Sequence, residues 1–194
     1  SDDMDYVTMA SQGDSIDFGN LTQSRPTYGG SFASSSRGIW AGGYTGGSAV
    51  NTMDYVQIMT LGNALDFGDL HTAKFNQTAG SSPTKGFIIS GSPSTFANYQ
   101  ISSIASKGNA AKFGDLTVAG YGRGGFSNSV RGICFGGREN PSNTNWATIE
   151  YVTIASEGNA TDFGEMSSGR ITMGGSATQT RGFIMPGNDG SDPT

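Results

Sequence analysis

The sequence is short of the residues on which most catalytic and metal sites depend. Its 194 residues include one histidine, His71, and one cysteine, Cys134. A lone cysteine excludes an intrachain disulfide. A Ser-His-Asp triad could use only His71, and no Gly-x-Ser-x-Gly segment accompanies it. We therefore expect no enzyme activity, no catalytic residue, no metal site and no cofactor, with His71 in a solvated loop and Cys134 as a small buried residue.

Charge and long apolar runs are also scarce. Charged residues make up 14% of the chain, against about a quarter in an average protein. The 11 Lys+Arg and the net charge of −5 provide no basic stripe for phosphates, so nucleic acid is not an expected partner. Apolar runs reach only about five residues, whereas a membrane helix needs about 20, so no membrane insertion is expected. No signal peptide pattern is present, and the first residue, a serine, suggests a processed protein or an excised segment.

Glycine is the residue in excess, at 31 of 194, where about 7% is usual. Serine, threonine and asparagine accompany it. This composition is typical of an all-β protein with many tight turns.

The chain contains four related units. The segments "GDSIDFGNL", "GNALDFGDL", "GNAAKFGDL" and "GNATDFGEM" begin at glycines 13, 62, 108 and 158, with spacings of 49, 46 and 50 residues. Each follows a strand-like run such as "DYVQIMT", and a second block lies midway: "RGIWAGG", "KGFIISG", "RGICFGG" and "RGFIMPG". Units of this length, each with four short strands a to d, are typical of β-propeller blades.

The predicted fold is a single all-β domain, 1–194, built of four four-stranded blades without helices. The blades span approximately 27–74, 75–120 and 121–170, and the fourth combines 171–194 with 1–26. Strands b and c are separated by 11, 9 and 13 residues inside the chain, and joining its two ends gives 12. We therefore expect the termini to share one blade and close a four-bladed ring. An eight-bladed ring of two chains and a segment of a longer array satisfy the same spacing.

The units resemble kelch repeats, with "RGIWAGG…DYVQI…DFGDL…AK" as the best match. Phe18, Phe67, Phe113 and Phe163 replace the usual kelch tryptophan, and Ile101 replaces the tyrosine. The wording "YVTIASEGNATDFGE" is similar to glycine-rich kelch-like repeats in structural proteins of tailed bacteriophages. This resemblance implies a virion protein, exposed on the particle exterior and extracellular. Its implied partners are other virion proteins and host-surface carbohydrate or a receptor.

Asp66-Phe67-Gly68 matches the magnesium-binding tripeptide of protein kinases, but the other kinase motifs are missing. Lys112 replaces the aspartate in the third unit, so the tripeptide indicates architecture. We expect each Phe ring to pack between blades and the following glycine to permit close approach. Strand b begins with a cation in every unit: Arg37, Lys85, Arg131 and Arg181. The favoured interpretation pairs Arg37 with Asp66, Arg131 with Asp162 and Arg181 with Asp17, while Lys85 faces Lys112; a central ligand ring is the alternative.

The b–c connections vary while the framework repeats. They carry aromatic residues among small polar ones, a combination found on recognition surfaces. The candidate ligand-binding residues are Tyr44, Phe96, Tyr99, Asn143 and Trp146. Alternatively, these aromatics fold back over the blade edges.

Three functions follow from these features. The first is a non-enzymatic phage virion module for structure and host attachment, with variable loops for glycan or receptor binding. The second is a purely architectural decoration protein. The third, less favoured, is a polysaccharide-degrading enzyme using carboxylates such as Asp5, Asp54 and Glu150.

Overall fold

The computed structural model describes residues 1–25, 29–92, 97–139 and 142–190. These ranges contain strands and turns and no helix, which confirms the all-β prediction. The 16 strands are β1 (Asp3–Tyr6), β2 (Ile16–Asn20), β3 (Gly30–Ala33), β4 (Arg37–Thr45), β5 (Ser48–Gln57), β6 (Leu65–Asp69), β7 (Thr78–Ser81), β8 (Lys85–Ile89), β9 (Asn98–Ser103), β10 (Ala111–Asp115), β11 (Gly124–Ser127), β12 (Arg131–Phe135), β13 (Thr148–Thr153), β14 (Thr161–Glu165), β15 (Gly175–Ala177) and β16 (Gly182–Ile184).

The strands form three complete antiparallel sheets and two strand pairs. Sheet I contains β3–β6, sheet II β7–β10 and sheet III β11–β14, each with its strands in chain order. The N-terminal pair is β1–β2 and the C-terminal pair is β15–β16. The four-stranded, blade-like unit is therefore confirmed. No strand pairing joins β16 to β1 within the described ranges, so the closed ring and its shared blade stay proposals.

The recurring Phe of Asp-Phe-Gly is a bulge residue. In sheet I, Asp54 pairs with Asp66 and Met53 with Gly68, which leaves Phe67 without a partner on the neighbouring strand. The same register shift occurs at Phe18, Phe113 and Phe163. A bulge re-aims the side chain of its extra residue. Phe67 is thereby buried against Ile88 and Ile104 of sheet II.

Neighbouring sheets are joined by main-chain contacts that repeat along the chain. Gly62 and Ala64 donate hydrogen bonds to the carbonyls of Phe18 and Asn20 at 2.9 and 2.8 Å. The Asn20 N–H donates to Oδ1 of Asn63 at 3.1 Å. We call this set a turn contact. It recurs between sheets I and II at Gly108, Asn109 and Ala110, and between sheets II and III at Gly158, Asn159 and Ala160.

Close main-chain approach explains why glycine follows the Phe. Gly19 and Gly68 have φ values of +135° and +138°, which few other residues adopt. A Cβ on Gly19 would lie 2.6 Å from the Gly62 backbone, and a Cβ on Gly68 equally close to that of Gly108. Phe-Gly is therefore an architectural motif, as the sequence predicted.

The hydrophobic core lies between the sheets. One cluster joins Phe32, Ile39 and Phe67 of sheet I to Ile88 and Ile104 of sheet II. A second joins sheet II to sheet III through residues that include Phe87, Phe113, Cys134 and Val152. Packing of the Phe rings between sheets is confirmed for Phe67 and Phe113. Phe18 is buried, but Phe163 is 53% exposed.

Candidate binding surface

The b–c connections and the segments that lead from one unit to the next lie at one edge of the sheets. Isolated bridges pair Phe75 with Ser92 and Tyr121 with Arg138. Gly43 donates a backbone hydrogen bond to the Lys74 carbonyl at 2.8 Å, joining the connection of sheet I to the segment before sheet II. The two sets of segments therefore share one edge of the sheets. We call it the loop edge.

The first b–c connection is a hairpin rather than a loop. Strands β4 and β5 continue to Thr45 and Ser48, and Gly46 and Gly47 alone form the turn. Both glycines have positive φ, at +57° and +86°, as a type I′ turn requires. Tyr44 therefore belongs to a strand, and its ring lies 4.8 Å from that of Phe75, between centroids. The two rings form one partly buried aromatic platform on the loop edge.

The second b–c connection was predicted to carry two of the ligand-binding residues, Tyr99 and Phe96. Tyr99 lies inside β9 with an exposed fraction of 0%. It packs in the core with Phe87 and Phe113, so its selection as a ligand-binding loop residue is wrong. Strand c begins at Asn98, before Tyr99, and the Tyr99 side chain points into the core. Phe96 lies outside the described residues.

The third connection carries Trp146 on a partly buried polar surface. The Arg123 guanidinium lies 5.0 Å from the centre of the Trp146 ring. The Arg138 Nε donates to Oδ1 of Asn145 at 2.7 Å. Asn143 is exposed with a φ of +57°, and its N–H donates to the Glu139 carbonyl at 3.0 Å. Trp146 thus folds back over the framework and leaves only part of its ring open.

Two buried ion pairs support the loop edge, and sequence reasoning missed both. Arg25 binds Asp54 and Arg123 binds Glu150, with all four side chains fully buried. Arg25 also donates to the Thr52 carbonyl at 2.7 Å. The signal was present, because acidic residues occupy the same strand-c position in three units. The pairing differs between units, since Arg123 lies three residues further along its unit than Arg25 does.

Sheet II replaces the ion pair with neutral partners. Gln100 occupies the acidic position and accepts from the Thr72 N–H at 3.3 Å. Lys74 is buried, and its Nζ donates to Oδ1 of Asn98 at 2.5 Å. Burial lowers the pKa of Lys74 to about 8, against the opposing influence of Asp115.

The cations that open strand b do not make the predicted ion pairs. None of the three aspartate pairings occurs among the ion pairs of the described residues. Arg37 instead donates to the carbonyls of Ile104 and Ala105, in the turn after β9, at 2.9 and 2.8 Å, and its guanidinium lies 5.2 Å from the Tyr55 ring centre. These main-chain carbonyls take the place of the predicted Asp66 carboxylate as the acceptors for Arg37. Lys112 pairs with Asp115 in its own strand at 2.8 Å.

The two residues with reactive side chains differ in exposure. His71 is exposed, as predicted. Cys134 is buried, as predicted, but it lies beside the Arg123–Glu150 pair, with Sγ 3.5 Å from the arginine nitrogen. Burial raises the pKa of the Cys134 thiol, which disfavours the thiolate.

Metal-ligating side chains do not cluster in the part of the chain that the structure describes, where no group of three or more His, Cys, Asp or Glu residues is found. Across the same ranges, no helix has the length and apolar character to span a membrane.

The loop edge therefore offers partly buried aromatic rings beside amide, guanidinium and hydroxyl groups. Flat apolar rings with adjacent hydrogen-bonding groups suit ligands that have an apolar face and a polar rim. The described set is Tyr44, Phe75, Tyr121, Arg138, Asn145 and Trp146. No protein-family model and no curated protein matches this chain, so this description rests on the chain's own residues.

Proposed function

We propose that this chain is a non-enzymatic structural and adhesion module of a bacteriophage virion. In this proposal its sheets are the blades of a propeller, and the loop edge binds host-surface glycan or a receptor. The observation that carries it is the contrast between repeated turn contacts, which fix the framework, and the divergent connections at one edge. Binding surfaces commonly combine a rigid scaffold with variable connections.

Sugar rings match the chemistry of the loop edge. The C–H faces of a pyranose can stack on the Tyr44–Phe75 platform and on the open part of Trp146. The Asn143 side chain, the Asn145 amide and the Arg138 guanidinium can reach hydroxyl groups around such a ring. The framework holds these groups in place before a ligand arrives, which lowers the entropic cost of binding.

The purely architectural alternative draws on exposed apolar residues elsewhere. Phe163, Phe183 and Met185 are 53%, 58% and 47% exposed, and all lie towards the C-terminal end of the array. Large exposed apolar side chains at one end of an array are available for contacts with other proteins. A virion decoration protein held only through such contacts would show no affinity for sugars.

A polysaccharide-degrading enzyme has less support. Asp54 and Glu150 have exposed fractions of 0% and are ion-paired with buried arginines. A pair of carboxylates that flank a glycosidic bond must reach the substrate. Asp5 is exposed and pairs across the strands with Asp17, but this pair holds the same framework position as Asp54 with Asp66 and Glu150 with Asp162.

A glycan array of bacterial surface polysaccharides tests the adhesion proposal. We expect binding by the unaltered chain and at least a tenfold loss in Tyr44→Ala and in Trp146→Ala. Met59→Ser is the matched control, because Met59 is 88% exposed on the opposite edge, in the turn between β5 and β6. Absence of binding to polysaccharides and to host cells by the unaltered chain would leave the architectural alternative. Release of oligosaccharides during incubation would overturn the non-enzymatic assignment.

A further inference from the structure

Each end of the array of sheets carries one half of a turn contact, and the two halves do not meet within the chain. At its C-terminal end, β14 presents Phe163 and Gly164, and no described atom lies within 4 Å of a Cβ built on Gly164. Phe163 is 53% exposed, whereas Phe18, Phe67 and Phe113 are at most 8% exposed. The first of the four related turns, Gly13-Asp14-Ser15, is the unused partner at the other end, because neither the Gly13 nor the Ser15 N–H donates a backbone hydrogen bond to a neighbouring sheet within the described residues.

We propose that the N-terminal pair of one copy docks onto the C-terminal pair and sheet III of a second copy. The docked strands complete a four-stranded sheet in the order β15, β16, β1, β2. Each copy has one N-terminal and one C-terminal pair, so two copies that join head to tail satisfy both interfaces. The inference rests on the propeller architecture proposed above, and it is independent of glycan binding.

The unmade turn contact has complementary chemistry. By analogy with the other three, Gly13 and Ser15 of one copy donate their N–H groups to the carbonyls of Phe163 and Glu165 of the other. The Asp14 carboxylate takes the place of the Asn63, Asn109 and Asn159 amide oxygens, each of which accepts a backbone N–H at 3.0–3.1 Å. Its partner is the Glu165 N–H.

The two ends of the array also carry the two members of an ion pair that is not formed: Arg170 at the C-terminal end and Asp5 at the N-terminal end. Arg170 follows β14 as Arg25 follows β2, but it makes no ion pair in the described part of the chain. Its guanidinium instead lies 3.4 Å from the Ser167 hydroxyl. Asp5 occupies the strand position of Asp54 and Glu150 and is exposed.

Docking would bury Asp5 of one copy beside the Arg170 guanidinium and the Ser167 hydroxyl of the other. Thr22 and Thr117 show the arrangement, because each donates its backbone N–H and its hydroxyl to the acid of the following sheet. Ser167 holds the equivalent position in front of Arg170. The charges and the hydrogen-bonding groups of the two ends therefore match each other.

Open grooves lie where the missing strands would sit. A groove of about 250 Å³ beside the C-terminal pair is lined by Ile133, Ile149, Phe163, Gly182 and Ile184 among others. A groove of about 660 Å³ beside the N-terminal pair is lined by residues that include Met4, Tyr6, Trp40 and Val56. The first would receive β1 and β2 of the partner, and the second would receive β15 and β16.

The existing sheets give the register of the new pairing. Arg37 pairs with Gln57, Lys85 with Ser103 and Arg131 with Thr153. The equivalent pair is Arg181 with Thr8 of the other copy. Phe183 then faces Tyr6, as Ile39 faces Tyr55 in sheet I.

Cysteine cross-linking tests this register directly. Paired residues of antiparallel strands have Cα atoms about 4.5–5.5 Å apart, within the range a disulfide spans. Thr8→Cys and Arg181→Cys are prepared as separate full-length chains, and Cys134 is buried and does not interfere. We expect a covalent heterodimer when the two are mixed and oxidised. Arg181→Cys mixed with Thr60→Cys, an exposed residue of another turn, is the control without a cross-link.

Each outcome decides the inference. A cross-linked heterodimer supports it. A cross-link that forms only within the double variant Thr8→Cys/Arg181→Cys, as a monomer, shows closure within one chain and overturns it; so does the absence of any cross-link.

A mass measurement provides the second test. Sedimentation equilibrium should give twice 20.1 kDa for the unaltered chain and a monomer for Gly164→Ala, since the new methyl group would meet the partner's turn. A Gly164→Ala chain that still dimerises contradicts the inference. If the monomeric Gly164→Ala chain still binds glycan, adhesion does not require the dimer, and the two proposals can be judged separately.

Discussion

Replacement of Gly68 by alanine tests whether close main-chain approach holds the sheets together. Gly68 has a φ of +138°, and its Cβ would lie 2.6 Å from the carbonyl carbon and oxygen of Gly108. Neither backbone can move without disturbing its own sheet. The matched control is Gly62→Ala, because Gly62 has a φ of +146° and open space within 4 Å among the described residues.

The expected cost follows from the turn contact that Gly68 permits. Both substitutions carry a similar backbone strain of about 1–3 kcal/mol, which cancels in the comparison. Gly68→Ala also separates the turn of sheet II from β6. That turn contact comprises hydrogen bonds of 2.8 Å from Gly108 to Phe67, 2.7 Å from Ala110 to Asp69 and 3.0 Å from Asp69 to Asn109. At about 1 kcal/mol each, their loss destabilises Gly68→Ala by about 3 kcal/mol more than Gly62→Ala.

Urea unfolding followed by tryptophan fluorescence measures this difference. With a slope of about 2 kcal/mol per M, the midpoint of Gly68→Ala should lie about 1.5 M below that of Gly62→Ala. The experiment is run at a concentration where both chains are monomeric. Equal midpoints would refute the reasoning, because they would show that backbone strain alone makes glycine necessary.

Three further outcomes are expected. The buried Lys74 has a pKa of about 8 in the folded chain and about 10.4 when unfolded. The free energy of unfolding should therefore rise by about 3 kcal/mol as the pH increases from about 8 to about 10.4, because the unfolded chain retains the proton that the folded chain has released. Lys74→Met should lack this rise. If the urea midpoints of the two chains depend on pH in the same way, the prediction is wrong. Asp54→Ala leaves the Arg25 guanidinium buried without its acid and should cost about 3–5 kcal/mol, while adding Arg25→Met should recover much of that loss in thermal unfolding. Gly47→Ala places a side chain at positive φ in the hairpin turn and should cost about 1–2 kcal/mol, whereas an unchanged melting temperature would argue against the type I′ turn.

The framework could be predicted because its signals are local and repeated. Strand positions follow from the spacing of the "RG" and "DFG" blocks, and the burial of Phe67 follows from its recurrence in every unit. A bulge at that Phe depends on pairing between strands, which a single strand's pattern does not reveal. The sequence could show that Phe-Gly matters without showing that the phenylalanine is the unpaired residue.

The loop edge was harder to predict because its contacts cross unit boundaries. The sequence placed Tyr99 in a loop, but strand c begins before it, at Asn98. As a strand residue, Tyr99 points into the core. Arg123 replaces the function of Arg25 from a position three residues further along its unit, so alignment of the repeats hides the equivalence. Ion pairs between residues about 30 positions apart depend on the packed backbone, and the sequence pattern does not contain that geometry.

Turn contacts join each sheet only to its immediate neighbours, and this has a consequence for cooperativity. Coupling between nearest neighbours makes the chain a one-dimensional system, in which stability is a sum of sheet terms and interface terms. Sheet II is flanked by complete sheets on both sides, whereas each terminal pair adjoins only one. In the monomer, amide hydrogen exchange should therefore be slowest in β8 and β9 and fastest in β1 and β16. Unfolding should begin at the free ends and advance inwards, so the strands that recognise another copy are also the first to open.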